Sequence, residues 1–151
     1  MKKIFIPTSN AEDWKRFLAE PDKQWRTGYS AKALAYCWEE ANGFPNSVKK
    51  VFSQAAFAPF HDMELLFIFP DYQVPLPGGY RPSQSDIFVL AKAQGNLITI
   101  AVEGKVREPF GQTINEWLNK ESTGKQIRLD YLCDQPGITK ESVYHIRYQL
   151  M

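Results

Sequence analysis

Cysteine and histidine are scarce in this chain of 151 residues: two of each, Cys37, Cys133, His61 and His145. The cysteines lie far apart and neither sits in a C-x-x-C pair, which argues against a zinc module or a disulfide framework and for two buried, reduced thiols. Long apolar runs are missing too. The amino-terminal "MKKIFIPTSN" offers three apolar residues before Pro7, too few for a secretory leader, and no run of about eighteen exists elsewhere. The expectation is a cytoplasmic protein of bacterial type with no membrane segment. Nor is there an excess of one charge: 18 Lys and Arg against 17 Asp and Glu leave a formal +1. A protein held on duplex DNA by charge alone is usually far more basic, so any nucleic-acid contact must be local or brief.

What remains is the composition of an ordinary globular chain, 44% hydrophobic and 23% charged, of a length that suits one domain, residues 1–151. "SNAEDWKRFLAEP" reads as a short helix, with cap residues Ser9 and Asn10 and a stop at Pro21. "GYSAKALAYCWEEANG" reads as a second, capped by Ser30 and closed by Asn42 and Gly43, and "NSVKKVFSQAA" as a third. "MELLFIF" is a continuous apolar strand whose pattern implies burial on both faces. A long loop, "PDYQVPLPGGYRPSQS", follows; unstructured loops of this length often line a site. "EPFGQTINEWLNK" starts a helix near Thr113, with Ile114, Trp117 and Leu118 inward. "RLDYLCDQPGITKESV" is helical with a break at Pro136-Gly137. "VYHIRYQLM" alternates like a strand. It ends without a cap or polar tail, so the natural domain is expected to run past Met151. The fold class is α/β (α+β).

The informative stretch is "SQSDIFVLAKAQGNLITIAVEGKV", two apolar strands around a tight turn. Taking Gly95-Asn96 as a type II′ turn puts Gln94 opposite Leu97, Asp86 opposite Lys105 and Phe88 opposite Glu103. Opposed residues share a face, as do residues two apart, so Asp86, Glu103 and Lys105 point one way. Ile87, Val89, Ile98, Ile100 and Val102 point the other way, into a core. Two converging carboxylates repel unless a cation or shared proton lies between them. Hard oxygen ligands with open positions suit Mg²⁺, and a neighbouring lysine can orient a water or neutralise charge developing on phosphorus. Solvated edge charges with a weak cross-strand ion pair are the plainer reading of the same residues.

Asp86 opening one strand and Glu103-Gly104-Lys105 closing the next, after a helix, a strand and a loop, resembles the core of the PD-(D/E)XK, or restriction-endonuclease-like, nuclease superfamily. The resemblance covers about Ser30 to Lys120. It implies a central mixed sheet flanked by helices, Asp86 and Glu103 as ligands of Mg²⁺ or Mn²⁺, Lys105 as the catalytic lysine, and a nucleic-acid substrate, DNA before RNA, with a homodimer admissible. "VPLPGGYRPSQSD" and "VEGKVREPFG" are also similar to an uncharacterised bacterial family with this core. A literal Pro-Asp stands at Pro70-Asp71, though Asp86 is preferred. Secondary candidates are Glu39 or Glu40 as an acid from the preceding helix, Gln84, and Arg147 and Gln149 as phosphate contacts on the last strand.

Two other readings compete. "LDYLCDQPGITKESVYHI" has the outline of a helix-turn-helix, with Gly137 in the turn and Ile138, Val143 and Ile146 inward, although Lys140 and Arg147 are offset by Glu141. Alternatively, a nuclease-like fold serves only protein contacts, with Trp14, Trp25, Trp38 and Trp117 at an interface; tryptophan is more often core.

Overall fold

The computed structural model describes residues 2–120 and 122–151. The chain divides into two compact units, residues 1–72 with 85–108, and residues 73–84 with 109–151.

The predicted first short helix is a 3₁₀ helix, Ala11–Phe17; Asn10 caps it by accepting from the Glu12 N–H at 2.9 Å. Helices α1 (Pro21–Gln24), α2 (Ser30–Ala41) and α3 (Asn46–Gln54) follow. Helix α2 ends as predicted, on Asn42 in the left-handed conformation (φ 45°). Its start differs: the N-cap position is Tyr29, and the Ser30 amide and hydroxyl are both given to Glu108, at 2.6 and 2.9 Å.

Strands β1 (Glu64–Val74), β2 (Ser83–Ala93) and β3 (Asn96–Val102) form a sheet of order β1-β2-β3. The fold is α+β with a three-stranded antiparallel sheet. Parallel pairing among the described residues enters through one isolated bridge, Ile4 to Ile68. β1 and β2 are each longer than the sequence suggests, which shortens the intervening loop to residues 75–82. Burial of β1 on both faces is not observed: Leu65 and Ile68 are buried, but Phe67 stays 45% exposed. Ile87, Val89 and Ala91 of β2 are fully buried with Ala35 and Trp38 of α2, and Ile98, Ile100 and Val102 pack against that core.

The β2–β3 register differs from the sequence reading. Ala93 pairs with Asn96 and Ile87 with Val102, so the turn is Gln94-Gly95. Both turn residues have positive φ, 49° and 82°, the type I′ signature whose twist matches that of paired strands. The slip is two residues, which preserves the faces. A slip of one would have reversed them.

In the second unit, α4 (Ile114–Leu118) begins with a capping box: Thr113 Oγ1 accepts from the Glu116 N–H at 3.2 Å while Glu116 accepts from the Thr113 N–H at 2.8 Å. Helices α5 (Thr123–Asp134) and α6 (Lys140–Val143) flank the break at Pro136-Gly137. Ile114, Leu118, Leu129, Cys133 and Val143 form a separate core. The predicted last strand is instead a 3₁₀ helix, Tyr148–Leu150, with one isolated bridge between Thr113 and Arg147. The alternation that suggested a strand reflects Ile146 and Tyr148 packing on that core. Cys133 is buried as expected, but Cys37 is exposed on α2.

Candidate active site

Strand β3 stops pairing at Val102, and "EGK" follows as irregular chain. Extending the observed register by one step sets Glu103 beside Asp86. The contact that fixes the pair is made by the backbone between Glu103 and Lys105: the Gly104 N–H donates to Asp86 Oδ2 at 2.7 Å. Glycine lets α2 lean closely on this point. A Cβ at Gly104 would lie 2.5 Å from Leu34 Cδ1 and 2.9 Å from Cγ. Lys105 Nζ forms an ion pair with Glu103 Oε1 and donates to the Gly104 carbonyl at 3.1 Å. The three side chains predicted to converge therefore share one network.

The network is sheltered. The Glu103 and Lys105 side chains are 14% and 16% exposed. Asp86 borders a cleft of about 20 Å³, room for about one water, with walls that include Trp14, Trp25, Leu34 and Pro70. Burial pushes the Asp86 carboxyl above its ordinary pKa, against the pull of the Gly104 amide and the Lys105 charge, and Glu108 adds a small upward push. Burial also raises Glu103; its bond to Lys105 opposes the shift, and the charge of Asp86 reinforces it. Two carboxyls raised by burial, the second also by the charge of the first, are poised to take up a cation or a proton.

Asp71 borders the same cleft, so both aspartates weighed from the sequence meet it. Its φ of 53° places it in the left-handed region, uncommon for a residue other than glycine. Glu108, which sequence reasoning passed over, is held by Ser30 at the start of α2 and by the amides of Val106 and Arg107, both at 3.1 Å. Burial raises its carboxyl, but these donors outweigh that and bring it down to about 2. The only signal for it was an acid three residues after Lys105.

The secondary candidates have other partners. Glu39 accepts from Thr8 Oγ1 at 2.7 Å and Trp14 Nε1 at 2.8 Å, and forms an ion pair with Lys2. Burial raises its carboxyl, but these three donors hold it below the usual range, so it ties the amino-terminal segment and the 3₁₀ helix to α2. Its neighbour Glu40 borders a cleft with Tyr36 and Lys2. Gln84 is exposed on β2, two residues before Asp86. Arg147 and Gln149 serve the second unit. Arg147 donates to the Gly111 carbonyl at 2.9 Å and approaches Glu116 at 3.6 Å, and Gln149 accepts from the Gly111 N–H at 2.7 Å.

Among the described residues, no cluster of three or more His, Cys, Asp or Glu is arranged to hold a metal. Asp86 and Glu103 offer two hard carboxylates. A magnesium ion is commonly held by one or two carboxylates, with water and substrate oxygens completing its shell, so this donor set fits Mg²⁺ or Mn²⁺ and does not suit zinc.

No helix among the described residues is long and apolar enough to cross a membrane. No curated protein and no solved structure matches the chain. One family model, described as "Domain of unknown function (DUF6946)", matches residues 7–151. The chain belongs to that family.

Proposed function

We propose that this protein is a metal-dependent phosphodiesterase of the PD-(D/E)XK type acting on nucleic acid, with a restriction-endonuclease-like core. One observation carries the reading: Asp86 and Glu103 are drawn together in a sheltered corner with raised pKa values, joined by the Gly104 amide and the Lys105 ammonium. Lys105 pairs with Glu103 and its charge also acts on Asp86, and the closeness of a second acid adds a cost that a divalent ion would relieve.

When bound, such an ion lowers the pKa of a water and polarises a phosphoryl oxygen. The residues of this chain contribute the rest. Asp86 and Glu103 supply the carboxylate oxygens, and the Gly104 N–H keeps Asp86 oriented through Oδ2. Lys105, held beside Glu103 and the Gly104 carbonyl, would orient the attacking water or neutralise charge developing on the phosphate.

The helix-turn-helix alternative is not favoured. Helix α6 has four residues, its Lys140 is ion-paired with Asp130, and Ile138, predicted to face inward, is exposed.

The test is cleavage of labelled single- and double-stranded DNA and RNA in Mg²⁺ or Mn²⁺, with and without chelator, beside thermal unfolding with each metal. A metal bound only by the folded chain must raise its melting temperature. The rise should vanish in Asp86→Asn and Glu103→Gln and persist in Lys105→Ala, which should lose cleavage alone. Chelator-resistant cleavage, or no metal-dependent rise in the wild type, overturns the proposal.

A further inference from the structure

The second unit carries a cation-lined surface that the site above does not use. Two clefts, about 700 and 410 Å³, share Trp117 and Lys125 in their linings. Their charged residues among those described are Arg81, Lys120, Lys125, Arg128 and Arg147, against one acid, Glu116. Among the described residues, the near-neutral chain therefore gathers five cations here against one acid. Of these, Lys125 and Arg128 bond to neutral partners among the described residues. Lys125 Nζ donates to the carbonyls of Trp117 (2.6 Å) and Lys120 (2.8 Å). Arg128 donates to the carbonyls of Pro77 and Arg81, at 3.2 and 2.6 Å. These neutral partners fix the cations in place without cancelling them.

The same bonds build a rigid loop. Gly78 (φ +83°) lies so close to α5 that a Cβ would meet the Gly124 carbonyl oxygen at 2.0 Å, and a Cβ on Gly124 would meet the Gly78 oxygen at 2.3 Å. Two glycines and an arginine thus clamp the loop, and its tip presents Tyr80, which is 93% exposed. An almost bare tyrosine on a fixed loop beside cations is a ready stacking platform. Trp117 is engaged differently: it stacks on Tyr148 at 4.5 Å, and Lys125 lies over its ring at 5.2 Å.

We infer that this surface binds single-stranded nucleic acid, with a base stacked on Tyr80 and successive phosphates on Arg81, Lys120 and Lys125. Unpaired bases fit because a duplex hides the π faces that Tyr80 would engage, and sequence preference is expected to be weak. The inference does not depend on the proposed catalysis, since Asp86, Glu103 and Lys105 take no part in it.

The test is fluorescence anisotropy of the full chain with a labelled oligothymidylate of about fifteen nucleotides, in chelator and low salt. Binding is expected, with a slope of log K against log salt of about −2 for three phosphate contacts. Tyr80→Ala should weaken it about fivefold or more and Tyr80→Phe should not. The double variant Arg81→Glu with Lys120→Glu should weaken it further and flatten the salt slope. The Asp86→Asn chain should bind like the wild type, which separates this inference from the nuclease proposal. Absence of binding overturns the inference, as does a Tyr80→Ala chain that binds normally. Equal competition by polyglutamate points to an acidic protein partner, and tighter binding of a duplex points to groove contacts; either result also overturns it.

Discussion

Asp86 takes its hydrogen bond from the amide of Gly104, at 2.7 Å, and so its orientation is set by the residue that separates Glu103 from Lys105. Local backbone, more than side-chain charge, holds the two acids in company. This distinguishes what each substitution should do.

Replacing Asp86 with Asn keeps an acceptor for that amide and removes the buried charge. Because burial raises the pKa of Asp86 in the folded chain, the folded state binds more protons than the unfolded one above the ordinary carboxyl value of 3.8. The stabilising contribution is complete at lower pH and lost as pH rises through the folded value. Asp86→Asn should therefore melt at a higher temperature than the wild type at pH 8 without metal, and the advantage should shrink towards pH 4. Thermal unfolding across that range decides it; an advantage that grows on acidification contradicts the assignment.

Gly104→Ala should overpack the contact with Leu34, since the added methyl would come within 2.5 Å of Leu34 Cδ1. The leucine tip can move, so the expected cost is about 1–3 kcal/mol. Adding Leu34→Ala should recover part of that cost in a double-mutant cycle. Strict additivity in chemical denaturation would show that the two residues do not press on each other.

Glu108 has the opposite sign. Its carboxyl, ordinarily near 4.5, is brought down to about 2 because the Ser30 and loop amides outweigh burial. Its contribution is present above the ordinary value and lost as pH falls towards 2. Discounted for water screening, the contribution at neutral pH is about 1–2 kcal/mol. Glu108→Gln should lower stability by that amount at pH 6, and its deficit should close between pH 4 and 2, as read by urea unfolding.

Gly78→Ala places a methyl against backbone, where no rotamer change relieves it, and at a φ of +83°. A loss of about 2 kcal/mol or more is expected. Gly79→Ala is the control, since its Cβ would stand 3.6 Å from Arg128 Nη2, an ordinary contact. Similar melting temperatures for the two variants would show that the loop does not depend on that close approach.

The convergence of Asp86, Glu103 and Lys105 was legible because strand alternation has period two. The turn was misread by one position and the register by two residues, and parity survived both errors. Glu39 was not legible in the same way. Its partners Lys2, Thr8 and Trp14 lie 25 or more residues away, and no local pattern announces a buried carboxylate with distant donors. Ser30 looked like a cap by type, yet its hydroxyl answers to Glu108, 78 residues on. The carboxyl-terminal segment alternated like a strand but found a single bridge partner among the described residues, and pairing, more than periodicity, makes a strand.

The residues joining β1 to β2 belong to the second unit, where Arg128 and Gly124 receive them, although the strands on either side belong to one sheet. Neither unit is thus encoded by one unbroken stretch of gene. A cut after Glu108 would leave the Gly78 loop with no helix to rest on, and residues 109–151 alone would lack the piece that α5 was shaped to carry. Isolating either half therefore takes more than a single cut in the chain.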